Sequence, residues 1–557
     1  MEEKDRQVQP EQPQAAPKPA PKPAPAAPAA PAKPADNEIK PEVVAPADLH
    51  ARLAALKAEG YNMLENLTAT DWGEEGMGVV YSLTNATTFE MKHVKCVSDN
   101  LEEPHLPSVT DLWDIANFYE REAYDFYGIK FINHPDMRRI FLREDWVGHP
   151  FRKSGYDASK NPEIAETDEP ISDLAVKYTL NPDGTLHKEE TPLFADDDYV
   201  INLGPQHPST HGVLHFRTRL EGEIITKIDP HLGYIHRAVE KISEDLTYPQ
   251  TLALTDRLDY LGAMQNRHAL CMCIEKGLGV EVSDRVQVIR TIMDELQRID
   301  SHLLFFSCLC QDMGATSAFL YGFRDREKVQ DIFEETCGGR LILHYNMIGG
   351  LAADIHPNFQ RRVKEFIPVM RKNLQEYDDI FTGNIIFQQR SKGIGVLSTE
   401  QVISFGCTGG TGRASGWHND LRKHRPYAAY DRVDFREVVR TEGDCFARYM
   451  IRLDEIRESL NIIEQLIDNI PEGNYCEKMK PILKIPAGTY YSAVEGSRGI
   501  FGVHLESRGD KFPYRLHYRS TGLPLVAVMD TACNGHMIAD LIAIGGTIDY
   551  VVPDIDR

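Results

Sequence analysis

Gly204-Pro205-Gln206-His207-Pro208-Ser209-Thr210-His211-Gly212 lies between two apolar runs. Upstream is Tyr199-Val200-Ile201-Asn202-Leu203, and downstream Val213-Leu214-His215-Phe216 continues toward Arg219-Leu220. Short runs rich in Val, Ile and Phe around a Gly/Pro/Ser cluster predict a β-hairpin. A glycine at each end lets the backbone turn closely. The tip carries two imidazoles where Asn-Gly would make a simpler turn. From composition alone, a surface turn with incidental histidines stays as open as a functional one. The series His207-x-x-x-His211-x-x-x-His215 would suggest a metal face on a helix. Pro205 and Pro208 argue against a helix there, so the three need not converge and a metal site is rejected.

Working outward, length and composition set bounds. A sequence of 557 residues suggests about three or four domains, or fewer large ones. Its 42% hydrophobic content supports a substantial core. A formal charge of −23 argues against nucleic acid as the main partner, because phosphate binding needs a basic field. Cysteines at 96, 271, 273, 308, 310, 337, 407, 445, 476 and 533 include no Cys-x-x-Cys pair, so neither a zinc ribbon nor a disulfide scaffold is implied. No apolar run approaches the roughly 18 residues needed to span a bilayer. The start, Met1-Glu2-Glu3-Lys4-Asp5, lacks the layout of a signal peptide. The expectation is a reducing cytoplasm, with any membrane association peripheral. Residues 1–47 read as a disordered tail, since from about Glu11 to Ala47 the sequence is Ala, Pro and Lys with almost no large apolar side chain.

Residues 48–156 read as a small α+β domain. Leu49 to Glu59 has helical spacing and stops at Gly60. Strand-like runs follow at 62–70, 77–84 and 88–97. A second helix is expected from Pro107-Ser108-Val109-Thr110, with Ser or Thr as N-cap, through Phe126 to Gly128. Charged and aromatic residues then alternate without a regular period in Glu120-Arg121-Glu122-Ala123-Tyr124-Asp125-Phe126-Tyr127-Gly128, His134-Pro135-Asp136-Met137-Arg138-Arg139 and Glu144-Asp145-Trp146-Val147-Gly148-His149-Pro150-Phe151-Arg152. That mixture suits a protein–protein contact; a solvated charged loop is the alternative. The whole run is similar to the signature of the C subunit of respiratory complex I, which in that family is a peripheral-arm building block without a cofactor. Residues 157–196, polar with a turn signal at Asn181-Pro182-Asp183-Gly184, read as a linker and domain boundary.

Residues 197–557 resemble the D subunit of complex I, which is related to the large subunit of nickel–iron hydrogenases. Matching stretches follow the family's order: the hairpin, then Pro230-His231-Leu232-Gly233-Tyr234-Ile235-His236-Arg237, then Asp256-Arg257-Leu258-Asp259-Tyr260. Gly393-Ile394-Gly395-Val396-Leu397-Ser398, Arg413-Ala414-Ser415-Gly416, Asp420-Leu421-Arg422, Gly443-Asp444 and Asp554-Ile555-Asp556-Arg557 come next. Each alone is weak. The ordered set, with the C-like run upstream, resembles a C–D fusion in one polypeptide, of the kind found in bacterial complex I. The expected class is α+β, the second domain being large and mostly helical with small β-sheets. Its long helices are read at 284–312, where Val286, Ile289, Leu296 and Leu303 form an apolar stripe opposite Arg and Glu, and at 435–470.

Hydrogenases hold nickel and iron through two Cys-x-x-Cys pairs, because such a site needs soft thiolates. Here Tyr234-Ile235-His236-Arg237 has no cysteine and the C-terminal region offers only Cys533. Hydrogenase activity is not expected, and no metal or cluster is assigned to this protein. Cys271, Cys273, Cys308 and Cys310 read as packing residues. The resemblance instead implies that the vacated cavity takes a quinone, ubiquinone or menaquinone, as substrate. Electrons would come from a terminal 4Fe–4S cluster on an adjacent small subunit, and each quinone oxygen needs a hydrogen-bond donor and a proton. The resemblance gives those roles to His211 and Tyr260, with Asp312 orienting His211. In the residues themselves, Asp312 follows the apolar run His302 to Cys310, where an ionised carboxylate is costly unless paired. Negative charge is also disfavoured at a helix C-terminus. Tyr260 alone reads as an ordinary buried tyrosine. Family position places His207 and Arg237 near the quinone or the cluster-bearing neighbour.

The implied function is that of a peripheral-arm subunit of proton-translocating NADH:quinone oxidoreductase, active only within its complex, at the cytoplasmic side of the bacterial inner membrane. Implied partners are the small cluster-bearing subunit, the large iron–sulfur subunit and the membrane subunits at the quinone entrance. A non-catalytic scaffold subunit and a hydrogenase-like large subunit with atypical ligands are the alternatives. Departures from the family pattern at 389–392, 409–410, 495–500 and 515–519 bear on contacts with neighbouring subunits and on the quinone type, and leave His211, Tyr260 and Asp312 untouched.

Overall fold

The computed structural model describes residues 38–100, 102–161, 172–207 and 210–557. Most of the expected tail, 1–37, lies outside the described residues. Its last part, 38–47, belongs to the fold, because β4 (Met91–Val97) offers an open edge. There β1 (Glu42–Val43) pairs in parallel, and Ile39 donates its N–H to the Thr489 carbonyl at 2.9 Å.

The first unit is a sheet in the order β1-β4-β3-β2, with β2 (Met63–Asp71) and β3 (Met77–Thr84) antiparallel. Helix α1 (Pro46–Ala58) buries Leu49, Leu53 and Leu56, spaced to share one face. Every residue of β2 and β3 is buried, more than a two-layer unit alone would achieve. The C-terminal sheet covers the exposed side: Tyr491 donates its hydroxyl to Glu65 at 2.7 Å, and Arg515 donates to the Ala69 carbonyl at 3.1 Å.

Two expectations change here. The second helix starts later, α2 spanning Ala116–Tyr127 after the short strand β5 (His105–Pro107). Ser108 does not cap it. Its hydroxyl (2.7 Å) and the Val109 N–H (2.8 Å) instead bind the buried Glu120 carboxylate, fastening the segment along the helix flank. The stretch read as a linker carries a hairpin, β7 (Leu174–Leu180) with β8 (Leu186–Pro192), joined through β6 (Lys130–Ile132) to β5. Its polarity reflects an edge strand, since all of β8 but its first residue is exposed.

The central hairpin forms as read. Strand β9 (Tyr199–Leu203) pairs antiparallel with β10 (His215–Glu221), Leu203 opposite Phe216, and β11 (Ile224–His231) completes the sheet. A helical body follows: α3 (Val239–Ser243), α4 (Tyr248–Thr255), α5 (Ala263–Leu278), α6 (Asp284–Asp312) and α7 (Thr316–Cys337). After a two-strand ribbon, β12 (Asn346–Met347) and β13 (Gly350–Leu351), come α8 (Phe359–Tyr377), α9 (Ile385–Gln389), α10 (Thr399–Ser404), α11 (Gly409–Ala414) and α12 (Leu421–His424). Helix α13 (Cys445–Leu466) begins ten residues inside the range read at 435–470, because Asp444 caps it, accepting the Ala447 N–H at 2.7 Å. The fold ends with the sheet β14 (Gly488–Gly496), β15 (Gly499–Ser507), β16 (Arg515–Arg519), and with α14 (Gly522–Ala527), α15 (Met529–Cys533), α16 (Ile538–Ile548) and α17 (Val552–Asp556).

Helix α6 has the bounds read from the sequence, but the face carrying Arg and Glu is not solvated. Arg290, Glu295, Arg298, Asp300 and His302 are all buried. Neighbours supply the partners: Glu275 pairs with Arg290 at 2.7 Å and Arg422 with Glu295 at 3.1 Å, while His302, its charged form disfavoured by burial, hydrogen-bonds Glu455 at 2.7 Å.

The N-terminal unit meets the helical body through buried ion pairs. Arg138 bridges Asp136 and Asp229, each at 2.8 Å, and Arg557 reaches Glu122 at 2.6 Å. Arg138→Ala leaves both aspartates without this counter-charge, with His231 at 2.9 Å and Arg217 at 3.9 Å remaining on Asp229. The expected loss is on the order of 3 kcal/mol, read from the urea midpoint of the purified protein; an unmoved midpoint would show that this joint adds nothing to stability.

Candidate functional site

His211 lies in the loop between β9 and β10, two residues beyond Ser209; Pro208 and Ser209 lie outside the described residues. Its backbone adopts the left-handed region, φ 52°, uncommon for a non-glycine residue and frequent where structure serves a site. Gly212 follows for a steric reason: a Cβ there would come within 2.6 Å of a Val552 methyl. This loop carries the imidazole to the last residue of α6, and His211 Nε2 lies 2.8 Å from Asp312 Oδ2. Helix α16 closes over the pair at Gly546, where a Cβ would meet Asp312 Oδ2 at 3.3 Å.

The pair lines a cavity of about 300 Å³ together with Tyr260. Helix α6 supplies much of one wall, Leu304, Phe305, Cys308 and Gln311, and Phe319 and Tyr550 stand across from it. Tyr260 opens a 3-10 turn, Tyr260–Gly262, fixed by Asp259, whose carboxylate accepts the Leu261 N–H at 3.0 Å. The three residues that the resemblance singles out are therefore brought together from three separate elements.

Electrostatics differ between the two donors. Burial disfavours the charged form of His211, but the hydrogen bond and charge of Asp312 outweigh it, and the imidazole pKa is raised from 6.5. Burial also raises the Tyr260 phenol, opposed by the Arg498 guanidinium, so the phenol keeps its proton.

Arg498 is the cavity residue that sequence reasoning missed, marking 495–500 only as a departure. From the turn between β14 and β15 it pairs with Asp259 at 3.1 Å and Asp549 at 3.3 Å, and donates to the Ser301 hydroxyl at 3.0 Å. Asp549, also missed, takes left-handed backbone (φ 64°) at the end of α16 and pairs with Arg452 at 3.3 Å. The available signal was an arginine between glycines, Gly496-Ser497-Arg498-Gly499; nothing local revealed its carboxylate partners.

Other expectations resolve differently. His207 and Arg237 are exposed and do not line the cavity. His215 faces Asn202 at 3.1 Å and Tyr234 at 3.3 Å, so the three histidines do not converge. His236 stacks on Phe126, centroids 4.9 Å apart, making that segment a joint to the N-terminal unit. Of the four cysteines read as packing residues, Cys271, Cys273 and Cys310 are buried, whereas Cys308 is half-buried and lines the cavity. Cys533 is buried in α15, away from that lining. Glu122, Glu240 and His517 lie close enough to share an ion, but Arg515 and Arg557 pair with the carboxylates and supply the positive charge.

Comparison with known proteins accounts for both units. Residues 42–161 match the family model of the respiratory-chain NADH dehydrogenase 30 Kd subunit, and residues 312–484 and 477–557 match that of the 49 Kd subunit. The C/D subunit of NADH-quinone oxidoreductase from Bacteroides thetaiotaomicron is 64% identical over 527 residues, covering 93% of this chain and 99% of that protein. That of Phocaeicola vulgatus is 65% identical over 511 residues, covering 91% and 98%. A separate D subunit, from Desulfotalea psychrophila, is 44% identical over 370 residues, covering 66% of this chain and all of that protein. At this identity and coverage the chain belongs to the family of fused C/D subunits of NADH-quinone oxidoreductase.

Proposed function

We propose that the cavity binds a quinone headgroup, and that His211 and Tyr260 serve its two carbonyl oxygens as hydrogen-bond donors and proton sources. The observation that carries this reading is one cavity holding two unlike donors, one of them charged through Asp312. A volume of about 300 Å³ suits a single ring. Asp312 occupies Nε2 of His211, which leaves Nδ1–H for the substrate. As electrons arrive from a 4Fe–4S cluster on the adjacent small subunit, negative charge grows on the carbonyl oxygens. The imidazolium and the phenol stabilise that charge by hydrogen bonding and then transfer their protons. Arg498 stabilises the phenolate left on Tyr260, and the aromatic walls keep competing water away.

The partners in this reading are the small cluster-bearing subunit, the large iron–sulfur subunit and the membrane subunits. No helix among the described residues is long and apolar enough to cross a membrane. A lipid-borne quinone would therefore be met at an opening shared with the membrane subunits, this protein being peripheral on the cytoplasmic side.

Tyr260→Phe in the purified complex should lower quinone reductase activity at least tenfold, in keeping with the roughly 10²–10⁴-fold worth of a positioned proton donor. Electron transfer to ferricyanide upstream should hold. Wild-type rates in both assays would favour a scaffold role instead.

For His211 the sign is set by a folded-state pKa above the ordinary 6.5. Stabilisation by the Asp312 pair is complete below 6.5 and is lost as pH rises through the raised value. Asp312→Asn removes the two largest raising influences and leaves the Asp549 charge against burial and Arg498, so the imidazole value falls. Quinone reduction should slow, and its alkaline limb should move to lower pH; a limb that stays in place would exclude His211 as the group it reports.

A further inference from the structure

Beyond the cavity, the seam between α6 and α7 holds a polar cluster that the proposed chemistry leaves unused. Gln297 and Asp300 of α6 and Arg326 and Gln330 of α7 are all buried. Asp300 Oδ2 accepts from Arg326 at 3.2 Å and from Gln297 at 3.4 Å. Gln330, with its amide turned to satisfy both neighbours, accepts from Arg326 at 2.7 and 2.8 Å and donates to Glu327 at 3.3 Å. Asp300 Oδ1, Gln297 Oε1 and Arg326 Nε have no partner among the described residues. Two acceptors and one donor left open in one buried cluster define a gap that a carboxyl proton or a bridging water would fill.

Helical spacing ties the cluster to the cavity. Asp300, Leu304 and Cys308 follow at i, i+4 and i+8, and the latter two line the cavity. Asp300 is thus about 6 Å further along the axis, at about 1.5 Å per residue. On α7, Phe319 lines the cavity and Arg326 shares its face two turns on. The Arg326 charge also acts on the Tyr260 phenol, as do those of Arg498 and Asp259. At the far end Glu327, 58% exposed and paired with Arg340, opens the seam to solvent. The charged groups acting on Asp300 are Arg326, Glu327 and Arg340; burial outweighs them and pushes its carboxyl up to about 7.

We propose that Asp300 returns a proton to Tyr260 after each quinone reduction, an inference that rests on the quinone-site reading above. The phenol O–H bond breaks as its proton passes to a quinone oxygen. The phenolate then takes a proton through the gap bounded by Asp300, Gln297 and Arg326, and the Asp300 O–H bond breaks. Arg326 balances the carboxylate until a solvent proton enters past Glu327 and Gln330. No electron moves in these steps, and one proton enters for each one Tyr260 delivers. Asp300 touches no substrate; it acts through Tyr260.

The test is the pH profile of quinone reduction by the intact complex carrying Asp300→Asn, from about pH 5.5 to 9. The expected result is a kcat about tenfold lower, an unchanged KM for a short-tailed quinone, and loss of the limb near the carboxyl's value of about 7. Ferricyanide reduction should be unchanged, and Asp300→Glu should restore a limb at a displaced pH. A wild-type kcat and profile in Asp300→Asn overturns the relay. If Tyr260→Phe is then still inactive, the quinone site stands without it; if Tyr260→Phe is itself wild-type, the underlying reading has failed first. Should Asp300→Asn not assemble, Asp300→Glu decides: a displaced limb supports the relay, and an unmoved one overturns it.

Discussion

Helix α6 turns its charges inward, and their compensation is the constraint on which the site depends. Arg290 and Glu295 each meet an opposite charge from a different element, α5 and α12, and His302 hydrogen-bonds a carboxylate of α13. Buried pairs of this kind add little net stability over apolar packing, yet breaking one costs about 3–5 kcal/mol because a charge is stranded. A one-turn slip of α6 would break all three together. The helix is therefore held in one register, and its end delivers Asp312 to one place. The His211–Asp312 distance is a consequence of that register as much as of the loop carrying the histidine.

Among the described residues, the N-terminal unit contributes none to the cavity wall. Its role lies in the joint. Glu65, buried in β2, takes Arg425 at 3.0 Å and Tyr491 at 2.7 Å from the helical body, and Glu122 of α2 takes Arg557. Covalent fusion raises the effective concentration of two such surfaces, and the hairpin at 174–192 adds a strand pair to the sheet of β5 and β6 instead of a slack tether. The elements that support α6 and α17 are thereby fixed from outside the site.

Local patterning made much of this fold legible. Strand β3 and helix α6 have the bounds that alternation and a 3.6-residue stripe indicate, because periodicity is a property of the segment itself. What a segment faces is not. Ser108 reads as a helix cap until Glu120 is placed beside it, and the Arg and Glu opposite the apolar stripe of α6 show no sign of burial until Glu275, Arg422 and Glu455 surround them. His211 and Asp312 stand 101 residues apart, so no spacing argument joins them; resemblance to a known family did. Resemblance also has its reach, since it gave no role to Arg498 or Asp549, and of the two places it offered His207 and Arg237, beside the quinone or beside the cluster-bearing neighbour, the cavity lining includes neither residue. Cys308 shows the limit from the other side: a half-buried thiol on an apolar helix looks like packing, and only the gap opposite it says otherwise.

The charge balance of the cavity bears on the order of events under the proposed chemistry. With His211 protonated, the wall sets Asp312 and Asp549 against His211 and Arg498, with Asp259 and Arg452 paired to them from behind it. When His211 gives up its Nδ1 proton, the Nε2 hydrogen bond to Asp312 remains but the positive charge that offset the desolvation of that carboxylate is lost. When Tyr260 gives up its proton, a second negative charge appears beside Asp259, whose carboxyl burial has already raised. Neither state is comfortable in a confined, largely apolar space, and the interaction strengthens as water is excluded. Proton return to both residues is therefore downhill as soon as a path exists. A reduced headgroup that leaves before the protons return would face a wall carrying excess negative charge, which favours neutral quinol over any anionic form in the departing product.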